Sequence, residues 1–351
     1  MHVSMTPMDS FERLLKSYDY SYPDSAVALE PAVPRDAARF LVLEPRRGVV
    51  GEDTFRNLPR YLPPRSLVVL NETKVIPARL TVTKETGGQA RLLYVRDLPG
   101  RRRFEALCDR PLTPGSRVRV GSTWIHIESV EQGRYTMRLS ARGTVLDLCR
   151  RHGAMPLPPY LKKTPLREAA IRAKYQTVFA RRTGSVAAPT ASLHITPRLL
   201  RALRAAGHEI AFVTLHVNLG TFLPLKPEQV AQGRLHEEHY EIPVKTAAAI
   251  RRAKAAGRPV VAVGTTVVRA LESAATGRGL RRDGATRLFI RPGYRFRVVD
   301  GLITNFHVPR SSLLMLVAAL VGRERLLRAY RYAVRRGFRL FSFGDGMLIR
   351  R

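Results

Sequence analysis

Cysteine is almost absent from this chain: Cys108 and Cys149 are the only two in 351 residues, far apart and in no CxxC pair. That excludes a disulfide framework and a thiolate zinc site, and it fits a reducing compartment. Long apolar runs are missing too. The longest, residues 313–321, falls well short of the roughly 20 residues that cross a bilayer. No basic-then-apolar leader opens the sequence, so a cytoplasmic protein without a membrane partner is expected. Acidic residues are few, 28 against 60 basic ones, and only nine of the basic ones are lysines.

What is present is a 45% apolar content, enough to build proper cores in two or three domains, and a formal charge of +32. So positive a chain favours polyanions through counterion release and electrostatic steering, and nucleic acid leads. Genomic base composition is a competing source of so much arginine. Any one pair, such as Arg46-Arg47, Arg181-Arg182, Arg281-Arg282 or Arg335-Arg336, has a solvated surface as its ordinary fate.

The rhythm of the chain changes twice. RFLVL (39–43) and SLVVLNE (66–72) read as buried strands. Between residues 76 and 153, short alternating segments are separated by Gly-Gly, Pro-Gly and Gln-Gly turn signals with no helix between them, the pattern of a small barrel or sandwich. After the connector MPLPPYL (155–161), helices over 196–206, 243–256, 265–275, 311–321 and 323–336 alternate with strands over 209–217, 259–263 and 339–342. The fold class is therefore α/β: a main domain, barrel-like or layered, from 18–75 and 154–351, with an inserted small all-β barrel-like domain at 76–153. Residues 1–17 form an N-terminal extension. Ligand loops are expected at strand ends.

Five blocks carry the polar and titratable residues: LNETKVIPARL (70–80), GSVAAPTASLHIT (184–196), HVNLGTF (216–222), PGYRFRVVDGLITNFHVPRSSLLML (292–316) and FSFGDGMLI (341–349). His194, His216 and His307 titrate near neutrality, although a hydrogen-bonded structural histidine is the commoner case. Asp300 and Asp345 are lone carboxylates in apolar, glycine-rich settings, where burial demands a partner; Gly-Asp-Gly is also turn chemistry in its own right. Thr265, Thr266 and Arg269 open a helix after the strand VVAVG, a natural anchor for a carboxylate or phosphate. The bland alternative pairs Arg269 with Glu272 one turn on. Asn305 and Arg310 flank His307. His236-Glu237-Glu238-His239 places two histidines three apart, as on one helix face, yet it is not HExxH and has no third ligand, so no metal is expected.

In this order, from about Tyr18 to Ile349, the five blocks resemble the S-adenosylmethionine:tRNA ribosyltransferase-isomerase family of queuosine biosynthesis. The resemblance implies an enzyme of the glycosyltransferase and isomerase classes, acting without a metal and as a monomer. It would move the ribosyl part of its co-substrate S-adenosylmethionine onto 7-aminomethyl-7-deazaguanine at the wobble position of a tRNA with a GUN-type anticodon. Epoxyqueuosine-tRNA forms, and adenine and methionine leave. A non-catalytic RNA-binding relative and an enzyme acting on another nucleoside are the rival readings. The chain lacks the GxGxxG loop of Rossmann-like methyltransferases, which argues against ordinary methyl transfer from that cofactor.

Polar, glycine-rich and titratable residues just after strands or at helix starts predict one S-adenosylmethionine cavity from GSVAAPTASLHIT, TLHVNLGTF, GTTVVRALE, DGLITNFHVPR and FGDG, converging at strand C-terminal ends. His194 or His307 would move protons there, and Asp300 or Asp345 would face the sulfonium or ribose. Thr190, His216, Gly220, Thr265, Thr266, Arg269, Asn305 and Arg310 would hold the co-substrate, with Arg269 on the methionine carboxylate. Glu72, Ser192, Ile195, Asn218 and Leu235 depart from the family pattern. Ser192 and Asn218 matter most, because they replace glycines that permit close approach.

The charge yields the first testable expectation. If it serves RNA, log affinity for tRNA falls linearly with log salt, with a slope of several units. A flat dependence, measured by fluorescence anisotropy between low and moderate salt, would assign the arginines to composition alone.

Overall fold

The computed structural model describes residues 7–100, 102–140, 142–218 and 224–350. Its main layer is an open, nine-stranded mixed sheet, so the layered form of the expected α/β domain is the one adopted. From edge to edge the strands are Asp283–Leu288, Arg234–Glu241, Glu209–Leu215, Leu67–Asn71, Val260–Val263, Gly301–Asn305, Gly346–Arg350, Arg39–Glu44 and Gly48–Thr54. Four neighbours, Glu209–Leu215 through Gly301–Asn305, run parallel, which brings their C-terminal ends to one side of the sheet.

Strand periodicity explains the two cores of this layer. Successive side chains leave opposite faces, so Leu67, Val69, Val260, Ala262 and Leu302 join a cluster beneath helices Val244–Ala255, Thr265–Ala274, Ser312–Val321 and Arg323–Arg335. Val68, Leu70, Val261, Val263 and Ile303 point the other way, onto Leu199 and Leu203 of helix Pro197–Ala205 and onto Phe55. Covered on both faces, these strands are continuous apolar runs without polar alternation. The helices start where their caps dictate: the hydroxyls of Thr196 and Ser311 accept from the backbone N–H of Leu199 and Leu314.

Residues of the insert fold into a closed antiparallel barrel of Arg79–Lys84, Gln89–Asp97, Arg103–Cys108, Arg117–Val120, Thr123–Glu131 and Arg134–Leu139. Its interior holds Leu80, Val82, Leu92, Phe104, Val118, Ile125 and Met137, and helix Val145–His152 closes one end with Val145, Leu148 and Cys149. That core lies within residues 76–149 except for Val186. Two crossings form the neck: the parallel pair Thr73–Val75 with Arg182–Ser185, and Gly153, where a Cβ would overlap the carbonyl oxygen of Pro77.

One expectation changes. The last strand is Gly346–Arg350, not 339–342; there Leu340 makes only an isolated bridge to Val27, and Phe341 sits at φ 71°, which breaks an extended run. The described part of the extension before Tyr18 is helical and packed. Helix Pro7–Lys16 buries Phe11 and packs Leu14 and Leu15 against the main core.

A barrel with its own core predicts local unfolding. Phe104→Ala should remove about 3–5 kcal/mol from the barrel, seen as faster amide exchange in its strands while Leu67–Asn71 and Val260–Val263 stay protected. Equal loss of protection in both regions would show that the two cores unfold as one.

Candidate active site

At the C-terminal ends of the four parallel strands lies a cavity of about 500 Å³, within the size range of small-molecule sites. Its walls come from four of the five blocks and from segments that the blocks did not include. Thr190 and its neighbours supply one wall, Gly264, Thr265, Thr266 and Arg269 a second, and the stretch from Thr304 to Leu313 a third. Tyr160, Phe341 and Ser342 close one side, with the Tyr160 and Ser342 hydroxyls 2.7 Å apart, and Leu15 of the N-terminal helix closes another.

Arg269 is buried one turn into helix Thr265–Ala274. It does not pair with Glu272, which instead accepts from the backbone N–H groups of Arg297, Val298 and Val299 and from the Tyr294 hydroxyl. Its ion-pair partner is Glu238, on strand Arg234–Glu241, and its Nε donates to the Leu288 carbonyl at 3.2 Å. The second terminal nitrogen, Nη2, is buried and has no partner. A desolvated donor of this kind is costly unless a ligand satisfies it.

Asn305 presents the complementary case. Its Nδ2 donates to the carbonyls of Phe341 at 3.0 Å and Asp345 at 3.5 Å and lies 3.3 Å from His194 Nε2. Two carbonyls fix which way the amide points, and Oδ1 is left buried without a donor. His307 also lines the cavity. Its Nε2 lies 2.8 Å from the Thr304 hydroxyl, its N–H donates to the Tyr330 hydroxyl, and its carbonyl accepts from Tyr20. Burial pushes its pKa down to about 4.

Several expected site residues stand elsewhere. His194 is buried behind Asn305, stacked on Phe55 with centroids 4.1 Å apart, and it is not a cavity wall. Desolvation lowers its pKa to about 3, which favours the neutral ring. His216 packs its ring over Gly184, where a Cβ would meet Cε1 at 2.9 Å, bonds Thr73 at 2.8 Å, and faces a separate polar depression with His239 and Glu241. Asp300 precedes strand Gly301–Asn305 and so lies at the opposite edge of the sheet, roughly 16 Å from Asn305 at about 3.3 Å per residue. There it binds Lys254 Nζ at 2.9 Å and the Val260 N–H. Asp345 is near the cavity but turned from it: its carboxylate accepts the backbone N–H groups of Arg39 and Arg339 at 2.7 and 2.8 Å, and burial raises its pKa. Arg310 stands at the rim at φ 57°, paired with Asp19. Gly220 lies outside the described residues.

The sequence reading passed over His236 and Glu238 as cavity residues. They lie on a strand, not a helix, so His236 and Glu238 share the cavity side while His239 is exposed. The signal was present in the alternation RLHEEHYE. His236 Nε2 is buried and unpartnered, and burial first, then Arg134, Lys226 and Arg269, depress its pKa.

Unsatisfied donors and acceptors in a largely apolar cavity at the ends of parallel strands, with a β-barrel appended, define the class: a small-molecule-binding α/β protein. The queuosine biosynthesis protein family model matches residues 15–349. An S-adenosylmethionine:tRNA ribosyltransferase-isomerase of Thermus thermophilus is 49% identical, and one of Moorella thermoacetica is 47% identical; each alignment covers 95% of this chain and 99% of the relative. A crystal structure of S-adenosylmethionine tRNA ribosyltransferase from Thermotoga maritima, 32% identical, covers 95% of this chain and 99% of its own, with a TM-score of 0.54. This chain belongs to the queuosine biosynthesis protein family.

The buried histidines give the fold a pH dependence. His194 and His307 have folded pKa values of about 3 and about 4, below the ordinary 6.5. Folding thus favours their neutral forms, and that stability is complete above pH 6.5 and is lost as pH falls toward 4. Urea unfolding should show a decline approaching 1.4 kcal/mol per pH unit for each group. His194→Gln should reduce that slope by about one proton; an unchanged slope would mean that His194 is protonated in the fold.

Proposed function

We propose that this protein is the S-adenosylmethionine:tRNA ribosyltransferase-isomerase of its cell, a cytoplasmic monomer. It transfers and isomerises the ribosyl group of S-adenosylmethionine onto 7-aminomethyl-7-deazaguanine at the wobble position of a tRNA with a GUN-type anticodon. The observation that carries the reading is that Arg269 and Asn305, each with one buried side-chain atom that has no partner, line the same largely apolar cavity.

The residues fit the co-substrate. Arg269 Nη2 takes the methionine carboxylate, a charge-assisted bond that Glu238 orients from behind. Asn305 Oδ1 accepts from the adenine amine. Tyr160 and Phe341 offer ring faces to the sulfonium cation. When bound, S-adenosylmethionine supplies the ribosyl group, a sulfonium that acidifies its neighbouring carbon, and adenine as leaving group. The chain keeps water out with Leu15, Leu313 and Leu316. We assign proton transfer to His236, which lines the cavity with a pKa lowered first by burial and an Nε2 that has no partner, whereas the His307 ring is held by Thr304.

Adenine release in the presence of modified tRNA tests these roles. Arg269→Gln paired with Glu238→Gln, which leaves no lone buried charge, should raise KM for S-adenosylmethionine at least about tenfold with a smaller effect on kcat. His236→Gln should lower kcat by about two to four orders of magnitude with tRNA affinity retained. Near-normal turnover in His236→Gln would remove that histidine from the chemistry; an unchanged KM in the double variant would remove Arg269 from binding.

A further inference from the structure

The arginines of this chain fall into two populations. On the barrel, six arginines meet carboxylates, Arg96 and Arg134 at Glu105, Arg103 and Arg138 at Glu128, Arg117 at Glu85 and Arg91 at Asp109, whereas the exposed Arg110 and Arg119 form no ion pair among the described residues. Compositional excess of arginine would be solvated or paired in this way wherever it falls. Helix Arg323–Arg335 presents its unpaired arginines in a row. It buries Leu326, Ala329, Tyr330 and Ala333, and it exposes Arg328, Arg331 and Arg335. At about 100° per residue the three arginines span an arc of roughly 60°, centred opposite the buried stripe, at steps of about 4.5 and 6 Å along the axis. Among the described residues no carboxylate forms an ion pair with any of them, although the next residue, Arg336, is bound to Glu52 at 2.8 Å. Like charges one turn apart disfavour a helix, so the row works against its own scaffold unless an anion meets it.

The helix is also fixed to the cavity. Tyr330 receives the His307 N–H at 2.8 Å, its ring meets Tyr20 edge-on at 4.8 Å, and Tyr20 donates to the His307 carbonyl at 2.6 Å. The ridge therefore keeps a set position relative to the wall that holds His307. A row of guanidinium forks spaced along one line, with the exposed Glu324 one turn before Arg328 and in no ion pair with them among the described residues, suits successive phosphates of a nucleic-acid backbone, which position a strand without reading its bases.

We propose that Arg328, Arg331 and Arg335 form a backbone-phosphate contact for the tRNA, holding the strand whose modified base enters the cavity. This rests on the reading of the chain as a tRNA-modifying enzyme. The test uses the full chain, an unmodified tRNA transcript as probe, and anisotropy titrations from about 50 to 300 mM salt. The triple variant Arg328→Gln, Arg331→Gln, Arg335→Gln should bind at least about tenfold more weakly at 100 mM salt, with the slope of log affinity against log salt reduced by about two to three. Lysine at the same three positions should restore most of the slope, and S-adenosylmethionine binding and the melting temperature should stay at wild-type values. A barrel control, Arg91→Gln, Arg103→Gln, Arg117→Gln, should change the slope by less than about one. Wild-type affinity and slope in the ridge variant, or an equal loss in the barrel control, overturns the ridge while leaving the tRNA reading intact. Failure of the wild-type chain to bind the transcript overturns both.

Discussion

The side-chain amide of Asn305 is where the parts of this fold meet. It ends the last of four parallel strands, and its NH2 group is fixed by carbonyls from a turn that Asp345 holds against Arg39 and Arg339. That turn has no slack. A Cβ on Gly344 would overlap the carbonyl oxygen of Arg339, and one on Gly346 would meet the Thr304 carbonyl oxygen at 2.9 Å. The same turn carries Phe341 and Ser342 into the cavity wall. With its donors spent inward, the amide has only its oxygen left for a ligand. Loss of the Asp345 carboxylate would thus act on the cavity through Phe341 and Asn305, without Asp345 touching anything bound there.

The second fixed element is a buried ion pair, Arg269 with Glu238. Such a pair is weak evidence for stability, because two desolvated charges roughly cancel the attraction they gain. What it contributes is aim. Glu238 and the Leu288 carbonyl hold two guanidinium nitrogens from the strand side, so the third is pre-oriented and loses little freedom when an anion arrives. Placing Glu238 two residues from His236 on one strand face puts the anchor and a free imidazole nitrogen on one rigid support.

How far the sequence could be read depended on whether the signal was local. Caps at Thr196 and Ser311, continuous apolar strands and the short-strand rhythm of the barrel are local, and each element they mark is present. Burial is not local. His194 and His307 carry the same side chain in equally polar blocks, yet one is stacked behind Asn305 and the other lines the cavity. Asp300 was legible in principle, since a residue that precedes a parallel strand sits at the edge away from the ligand side; its polar setting outweighed its position. His236 went unplaced for a different reason. Histidines three apart evoke a helix face, and only the strand period separates His236 from His239.

Electrostatics follows the same division between what is counted and what is arranged. The +32 is a property of the whole chain, but part of the barrel's share is offset locally, where six arginines share four carboxylates within a few ångströms. At physiological ionic strength, fields are screened beyond about 8 Å, so an RNA strand responds to the arginines it can touch and hardly to the total. The carboxylates Glu85, Glu105 and Glu128 therefore shape the binding surface as much as the arginines do. By occupying cations on the barrel they leave the row Arg328, Arg331 and Arg335, on a helix bonded to the cavity wall, as the contact we propose for the strand.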